Sequence, residues 1–334
     1  MIMIDTIQQQ NELELEEFEQ NQVILSPGQL VLKRFFRNKL ATIGIVIIAA
    51  MLLFCFIGPL LSPYGEYEIF YINKDTKEEI SMHDSRISEQ GVTVHIRAPI
   101  SSSHWLGTDA DGRDVLTRLM YGGRVSLTVG LVVVLVELII GVTLGGIAGY
   151  YGGKIDMIIM RLVEIFYSIP FIPVMLIISA VMVGYGISPR YKIYIIMLVM
   201  GVLYWAGVAR MVRGQLLSLR EMEFMQAAEA TGIRTSRKIF KHLVPNVMPI
   251  IIIIATMDLG GIILTESTLS FLGVGIAFPY ASWGNMVNAV TNSIILKSFP
   301  NIWVPPGICI LLTVLAFNFI GDGLRDAYDP KMKR

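Results

Sequence analysis

Six long apolar runs constrain this 334-residue chain more than any other feature. A membrane-spanning helix needs about 20 apolar residues. Runs of that length fall at roughly 41–62, 125–150, 162–186, 193–212, 247–272 and 302–321. Inside lipid each backbone N–H and C=O must find its partner within the chain, and runs of this length satisfy that as helices. The expected fold is therefore an all-α polytopic membrane protein with six transmembrane helices. Composition agrees: 16% of residues are charged, against about 25% in ordinary soluble domains. The net charge of zero carries no electrostatic footprint for nucleic acid. The first run follows about forty polar residues, so it reads as a retained anchor and not as a cleaved signal peptide. Cys55 and Cys309 lie within apolar runs and read as small buried hydrophobes.

Basic residues set the expected orientation. Lys33, Arg34, Arg37 and Lys39 precede the first run, Lys154 and Arg161 follow the second, and Arg213, Arg220, Arg234, Arg237, Lys238 and Lys241 follow the fourth. The alternate short loops carry only Arg190, Lys192 and Lys297. By the positive-inside rule both termini and the central polar stretch are cytoplasmic. The chain divides accordingly into a polar tail at 1–25, a basic amphipathic interfacial helix at 26–40, a transmembrane domain at 41–321 and a C-terminal tail at 322–334. Within the membrane domain, 63–124 is extracytoplasmic and 213–246 cytoplasmic. Ser26, Pro27 and Gln29 form a capping-box start for the interfacial helix, whose mixed Leu, Phe, Lys and Arg faces suit a lipid surface. The long outer loop has turn residues at Asn73-Lys74-Asp75 and an alternating Val92–Ile96, so a small β-containing cap is expected. Pro170 and Pro173 predict a kink in the third run.

Several groups invite a chemical reading. Gly141, Gly145 and Gly149 recur every four residues, with Gly153 beyond them, giving a smooth ridge on which another helix can pack closely. Glu137, Asp258 and Glu266 lie within apolar runs, where ionised groups are expensive. They fit either a proton or cation path or carboxyls that face a wet cavity or a hydrogen-bonding neighbour, and the second reading is preferred. Asp109-Ala110-Asp111-Gly112-Arg113-Asp114 resembles a calcium loop only superficially. An EF-hand starting at Asp109 needs Gly and Glu where Asp114 and Met120 stand, so a tight turn with local salt bridges is expected. No pair among His83, His95, His104 and His242 has zinc-site helical spacing, and no phosphate loop is present, so no metal or nucleotide site is expected in this chain.

The polar stretch from Gln215 to Pro245 reads as two short helices joined by a tight turn. Gly232 suits the left-handed C′ position with Ile233 as its apolar C″ partner. Thr235 or Ser236 is expected to cap the second helix, and Pro245 to end it. Ala227-Ala228, Gly232 and Pro245 stand at the spacing of the EAA loop of ATP-binding cassette importer permeases, with Gln226, His242 and Val244 in place of that pattern's Glu, Ile and Leu.

Other segments extend this likeness. His104-Trp105-Leu106-Gly107-Thr108-Asp109 with Gly112-Arg113-Asp114 resembles the motif that precedes the second helix in peptide-importing members. Tyr151-Gly152-Gly153, the stretch Leu269–Gly273 with Glu266 before it and Trp283-Gly284 after it, and Gly321–Asp326 with Asp329-Pro330 are also similar to that group. The chain thus resembles a permease subunit of the oligopeptide, dipeptide and nickel group from about Ser26 to Pro330. The resemblance implies the six-helix ABC importer permease fold in the plasma membrane. It implies a second homologous permease, two ATPase subunits that bind ATP and Mg, and an extracytoplasmic substrate-binding protein as partners. It implies a peptide substrate, and a transport subunit with no chemistry of its own whose Gln226–Pro245 loop couples to the ATPases. A nickel-importing permease of the same group and a proton-coupled secondary transporter are the alternatives.

Overall fold

The computed structural model describes residues 26–329, so the expected 1–25 tail and the last five residues lie outside the described residues. The chain opens with α1 (Pro27–Arg37). Ser26 caps it: the Ser26 Oγ accepts from the Gln29 N–H at 3.4 Å while Gln29 Oε1 accepts from the Ser26 N–H at 2.9 Å, completing the capping box. Asn38 then breaks the helix and starts the next, its Oδ1 accepting from Leu40 and Ala41 N–H. That next helix, α2 (Lys39–Leu61), is the first span and contains a π-helical turn at Leu53–Ile57.

The insertion between the first two spans contains β1 (Phe70–Asn73), β2 (Glu79–Ser81) and β3 (Val92–Val94), antiparallel in the order β2-β1-β3. Registers Tyr71↔Ile80 and Ile72↔Thr93 centre the sheet on β1. The Asn73 side chain closes the β1–β2 turn by accepting from the N–H groups of Asp75 and Thr76. β3 and this turn lie where the sequence placed them. β1 and β2 were not anticipated, because strands of four and three residues carry almost no periodicity.

Asp114 caps α3 (Val115–Tyr151), its Oδ2 accepting from Thr117 N–H at 2.7 Å. α3 has 37 residues, about 55 Å at 1.5 Å per residue, so it projects well beyond a hydrocarbon core of about 30 Å. It forms the centre of the molecule and pairs most extensively with α6 (Pro189–Arg220). Gly152, at φ +64°, ends α3 and turns the chain into α4 (Gly153–Ser168).

The third run, expected as a kinked span at 162–186, carries the expected kink, but its helices begin earlier, at Gly153. It consists of α4 and α5 (Phe171–Gly184), bent by 76° across Ile169-Pro170. Pro170 has no N–H to continue the ladder and drives Ile169 into an extended conformation (φ −74°, ψ 119°). Pro173 causes no second break, since it falls in the first turn of α5, where its N–H would have been unpaired anyway.

After α6 come α7 (Glu223–Ala230), the long α8 (Thr235–Phe271), two short helices α9 (Trp283–Val287) and α10 (Ser293–Ser298), and α11 (Pro300–Tyr328). Among the described residues, five helices are long and apolar enough to cross a membrane, and the bent α4–α5 pair makes a sixth span if taken as one. The expected tail from residue 322 is helical as far as Tyr328.

Two apolar clusters organise the bundle. One joins α3, α5, α6 and α8 through Val133, Met175, Ile196, Met200 and Ile262. The other joins α2, α3, α9 and α11 around Trp283, which is wholly buried and donates Nε1–H to the Leu119 carbonyl at 3.0 Å. At the basic end, Phe35 of α1 packs with Ala41 and Ala327, laying α1 against α11. Many aliphatic residues on α2, α4 and α5 remain exposed, among them Leu53, Ile158 and Ile177, as surfaces facing lipid or protein require.

Candidate functional site

The polar stretch between α6 and α8 forms a compact knob. α6 continues to Arg220, and Met222 stands at the N-cap of α7. Met225 and Ala228 point inward, Met225 joining Leu216, Leu243 and Val247 in one apolar cluster. α7 ends as a Schellman turn. Gly232 adopts φ +68°, its N–H donates to the Glu229 carbonyl at 3.0 Å, and the Ile233 N–H donates to the Ala228 carbonyl at 3.2 Å.

Charged contacts tie the knob to the helix ends. Arg220 Nη1 donates to the Tyr150 carbonyl at 3.0 Å, and Lys238 Nζ lies 3.5 Å from Glu229 and over the Tyr150 ring. Beside it, the Arg213 guanidinium grips Asp156 with two bonds of 2.8 and 2.5 Å, linking α6 to α4.

Two expectations for this stretch are corrected. Neither Thr235 nor Ser236 caps a helix; Arg234 holds the N-cap position, with no side-chain bond. Nor does Pro245 stop the helix. A π-helical turn at Lys238–Leu243 leads directly into the span, and Pro245 falls at the second position after it. There the ladder is already changing register and the missing N–H does least harm. The His242 carbonyl instead accepts from Asn246 Nδ2 at 2.6 Å. Of the residues singled out here, Gln226, Ala227, Gly232 and Pro245 are exposed and Ala228 is buried. Sequence reasoning missed Met222 and Phe224, which are 53% and 41% exposed on the same knob. Phe224 and Ala227 stand three residues apart, the spacing of a shared helix face, which was the available signal.

At the opposite end, the His104–Asp114 motif forms a knot. His104 is buried, with Nδ1 2.8 Å from Asp114 Oδ1 and Nε2 3.0 Å from Glu79 Oε1, while His95 Nδ1 meets the same Glu79 oxygen at 2.8 Å. The Thr108 hydroxyl donates to the His95 carbonyl and accepts from the Ala98 N–H. Gly107 has φ +75° and lies against the Ala98 carbonyl, where a side chain has no room. Asp109 accepts from the N–H groups of Asp111 and Arg113 and pairs with the Arg113 and Arg118 guanidiniums, each at 3.2 Å; Arg113 also pairs with Asp111. The expected tight turn with local salt bridges is thus in place. Gly112, at φ +76°, turns the chain back within it, and Trp105 is 70% exposed at its edge. The knot also clasps the segment before α9, since Arg113 lies 4.7 Å from the Phe278 ring centroid and Glu66 accepts from the Ala281 N–H.

Burial disfavours the His104 cation, yet its bond to Asp114 and the charges of Glu79 and Asp114 outweigh burial and hold its pKa above the usual 6.5. A group with a raised folded pKa stabilises the fold fully below its unfolded pKa. That contribution fades as pH rises through the folded value. The β-containing cap is therefore expected to resist trypsin best below about pH 6.5 and to open progressively above it. His104→Asn should flatten this profile, measured as cleavage between Lys74 and Arg97 and corrected for protease activity. An identical profile in the variant would contradict the assignment.

The three membrane carboxyls occupy unlike settings. Glu266 is buried among hydroxyls: Ser126 Oγ donates to Oε2 at 2.9 Å and Ser270 Oγ to Oε1 at 2.7 Å. These serines accept in turn from the N–H groups of Trp283 and Ile276, so Glu266 fastens α8 to α3 and to the segment before α9. Glu137 and Asp258 instead face a cavity of about 380 Å³. The ridge glycines Gly141, Gly145 and Gly149 are buried against α6 of the same chain, at Val208, Ala209 and Leu216.

Residues 141–334 match the family model of the binding-protein-dependent transport system inner membrane component, and residues 26–78 match that of the N-terminal TM domain of oligopeptide transport permease C. The chain is 39% identical to the dipeptide transport system permease protein DppC of Bacillus subtilis, over 93% of this chain and 88% of that one. It is 38% identical to the oligopeptide transport system permease protein OppC of Haemophilus influenzae, over 90% of this chain and 87% of the relative. Against the OppC protein of Bacillus subtilis the identity is 36%, over 90% and 88% of the two chains. With its apolar helices packed around α3, a polar knob after α6 and these matches along most of its length, the chain belongs to the family of binding-protein-dependent transport system inner membrane components.

Proposed function

We propose that this chain is one permease subunit of an ATP-driven importer of dipeptides or oligopeptides. The observation that carries the reading is the likeness, over 93% of the chain, to a protein named as a dipeptide permease. The relatives compared above bear dipeptide or oligopeptide names, which favours peptide import over the nickel and secondary-transporter readings. In this proposal the subunit forms half of the pathway with a second, homologous permease. An extracytoplasmic binding protein delivers the peptide, and two ATPase subunits hold ATP and Mg and perform the hydrolysis. Both termini and α7 are cytoplasmic, and the β-containing cap is external. Closure of the ATPases would push on α7, and the π-turn into α8 would pass that movement into the bundle as a two-state rearrangement.

The test is uptake by the four-subunit complex and its binding protein in liposomes. Import of a labelled peptide should require ATP on the α7 side and persist when the proton gradient is collapsed. Uptake by the purified chain alone, or strict dependence on the gradient, would overturn the reading. In intact cells a membrane-impermeant thiol reagent should label Glu89→Cys and spare Ser236→Cys; the reverse would invert the orientation.

A further inference from the structure

The cavity between α3, the α4–α5 bend, α6 and α8 has a wall of Phe166, Tyr167, Phe171, Leu203 and Tyr204. Two carboxyl groups interrupt it, Glu137 from α3 and Asp258 from α8. Glu137 is 1% exposed, and its Oε1 has no hydrogen-bond partner. Glu266 provides the internal contrast, since serine hydroxyls occupy both its oxygens. The Asp258 carboxyl is in hydrogen-bonding reach of Glu137, so the two can share one proton, but the apolar wall offers the remaining Oε1 no donor, which is destabilising. The Arg210 guanidinium lies 4.5 Å from the Tyr167 ring centroid, but no lysine or arginine is among the lining residues, so none is placed on the two carboxyls from the wall itself.

The surroundings fit an organic cation. An ammonium group donates up to three hydrogen bonds, for which Glu137, Asp258 and the tyrosine hydroxyls are acceptors. Aromatic faces attract the same charge, and Phe171 and Tyr204 pack edge to face at 5.3 Å on the wall. The volume suits a terminal residue and not a whole oligopeptide. Glu137 and Asp258 both lie near the middle of spanning helices, the depth at which transporters meet their cargo.

We propose that this cavity is a transient site for the terminal ammonium group of a peptide in transit, with Glu137 and Asp258 as acceptors and Tyr167, Phe171 and Tyr204 as its aromatic wall. The proposal rests on the peptide-import reading. An amino terminus is common to all unmodified peptides, so a site that holds only this group is indifferent to side chains. With few polar contacts the hold is weak, as release on the far side requires.

The purified four-subunit complex, without its binding protein, provides the direct test. Gly207 lines the cavity, and a small thiol reagent should label Gly207→Cys. Millimolar trialanine should slow that labelling about fivefold, while N-acetyl-trialanine should not. N-acetyl-Ala-Lys-Ala, whose only ammonium is on a side chain, separates a terminal from a side-chain source; protection by it equal to that by trialanine would overturn the terminal assignment. Glu137→Gln should abolish protection by trialanine, and Asp258→Asn should weaken it. In liposomes with the binding protein present, Glu137→Gln should lower the preference for trialanine over N-acetyl-trialanine about tenfold, the loss expected for one charge-assisted hydrogen bond. The receptor is the same in both cases and cancels. Equal protection by both trialanine forms, or unchanged protection and preference in both variants, would overturn the proposal while ATP-driven uptake of trialanine still upheld the import reading. Absence of any ATP-driven peptide uptake by the wild type would remove both.

Discussion

Gly145→Ala is expected to remove most of the folded protein from mild-detergent extracts, whereas the same change one residue later, Gly146→Ala, is expected to be tolerated. A Cβ at position 145 would run into the Ala209 carbonyl and lie 2.9 Å from the Ala209 Cα. Those are backbone atoms of α6 and cannot swing aside as a side chain can. Relief requires α3 and α6 to separate. Separation would also loosen Gly141, whose added Cβ would lie 2.6 Å from Val208 Cβ, and Gly149, whose Cβ would lie 2.8 Å from Leu216 Cβ. Without a hydrophobic force between helices in lipid, such close packing is the main source of association. Overpacking costs about 1–3 kcal/mol and more where backbone opposes backbone, a factor of roughly 5–150 in the folded ratio. At Gly146 the nearest atom to an added Cβ is a methyl of Ile239 at 3.4 Å, an ordinary contact. Alanine there also removes the helix-interior glycine penalty of about 1 kcal/mol. The measurement is the monodisperse fraction after extraction together with its thermal midpoint. Equal behaviour of the two variants would show that the ridge is not the packing seam.

That ridge was legible because a repeat of four is a local property of the sequence; its partner, α6, was not, because the contact spans about 60 residues of chain. Local rules likewise located the Ser26 capping box, the Gly232 turn and the break at Pro170, each decided by neighbours within a few positions. They failed where two local signals compete. Pro245 reads as a stop, but a π-helical turn just before it had already shifted the ladder, so the helix runs through. Long-range polar pairing was invisible for the same reason. The Glu79 contact with His104 crosses 25 residues, and that of Ser126 with Glu266 crosses 140. Glu137, Asp258 and Glu266 therefore looked alike as sequence, and only the fold separates a carboxyl held by serines from two that face a cavity.

Loss of ATP-driven uptake with normal amounts of membrane-inserted protein is expected for Ala227→Glu and for Gly232→Val, by different routes. Ala227 is exposed on α7, three positions after the exposed Phe224, while the buried side of α7 is formed by Met225 and Ala228. A glutamate at 227 therefore leaves the knob's own packing intact and places a charge on its outward apolar face. Burying that charge against a partner without a cation costs several kcal/mol, enough to reduce ATPase retention by more than about a hundredfold. Gly232 meets no atom within 4 Å of an added Cβ, so volume is not its constraint. Its φ of +68° is. A β-branched residue there is strained by roughly 1–2 kcal/mol or more, and the strain is relieved by releasing the Glu229 and Ala228 carbonyl bonds that end α7. The knob would then present its outward face in a shifted orientation, weakening coupling more than insertion. Ala228→Glu is a poorer probe of docking, because its carboxylate would enter the chain's own packing and destabilise the knob itself. Arg237→Gln, on an exposed polar position beyond the turn, should cost less than either. Each variant complex is purified in mild detergent, and ATPase retention, stimulated hydrolysis and uptake are compared with those of the wild type. Ala227→Glu and Gly232→Val complexes that keep their ATPases and import peptide at the wild-type rate would show that α7 is not the element through which hydrolysis moves the bundle.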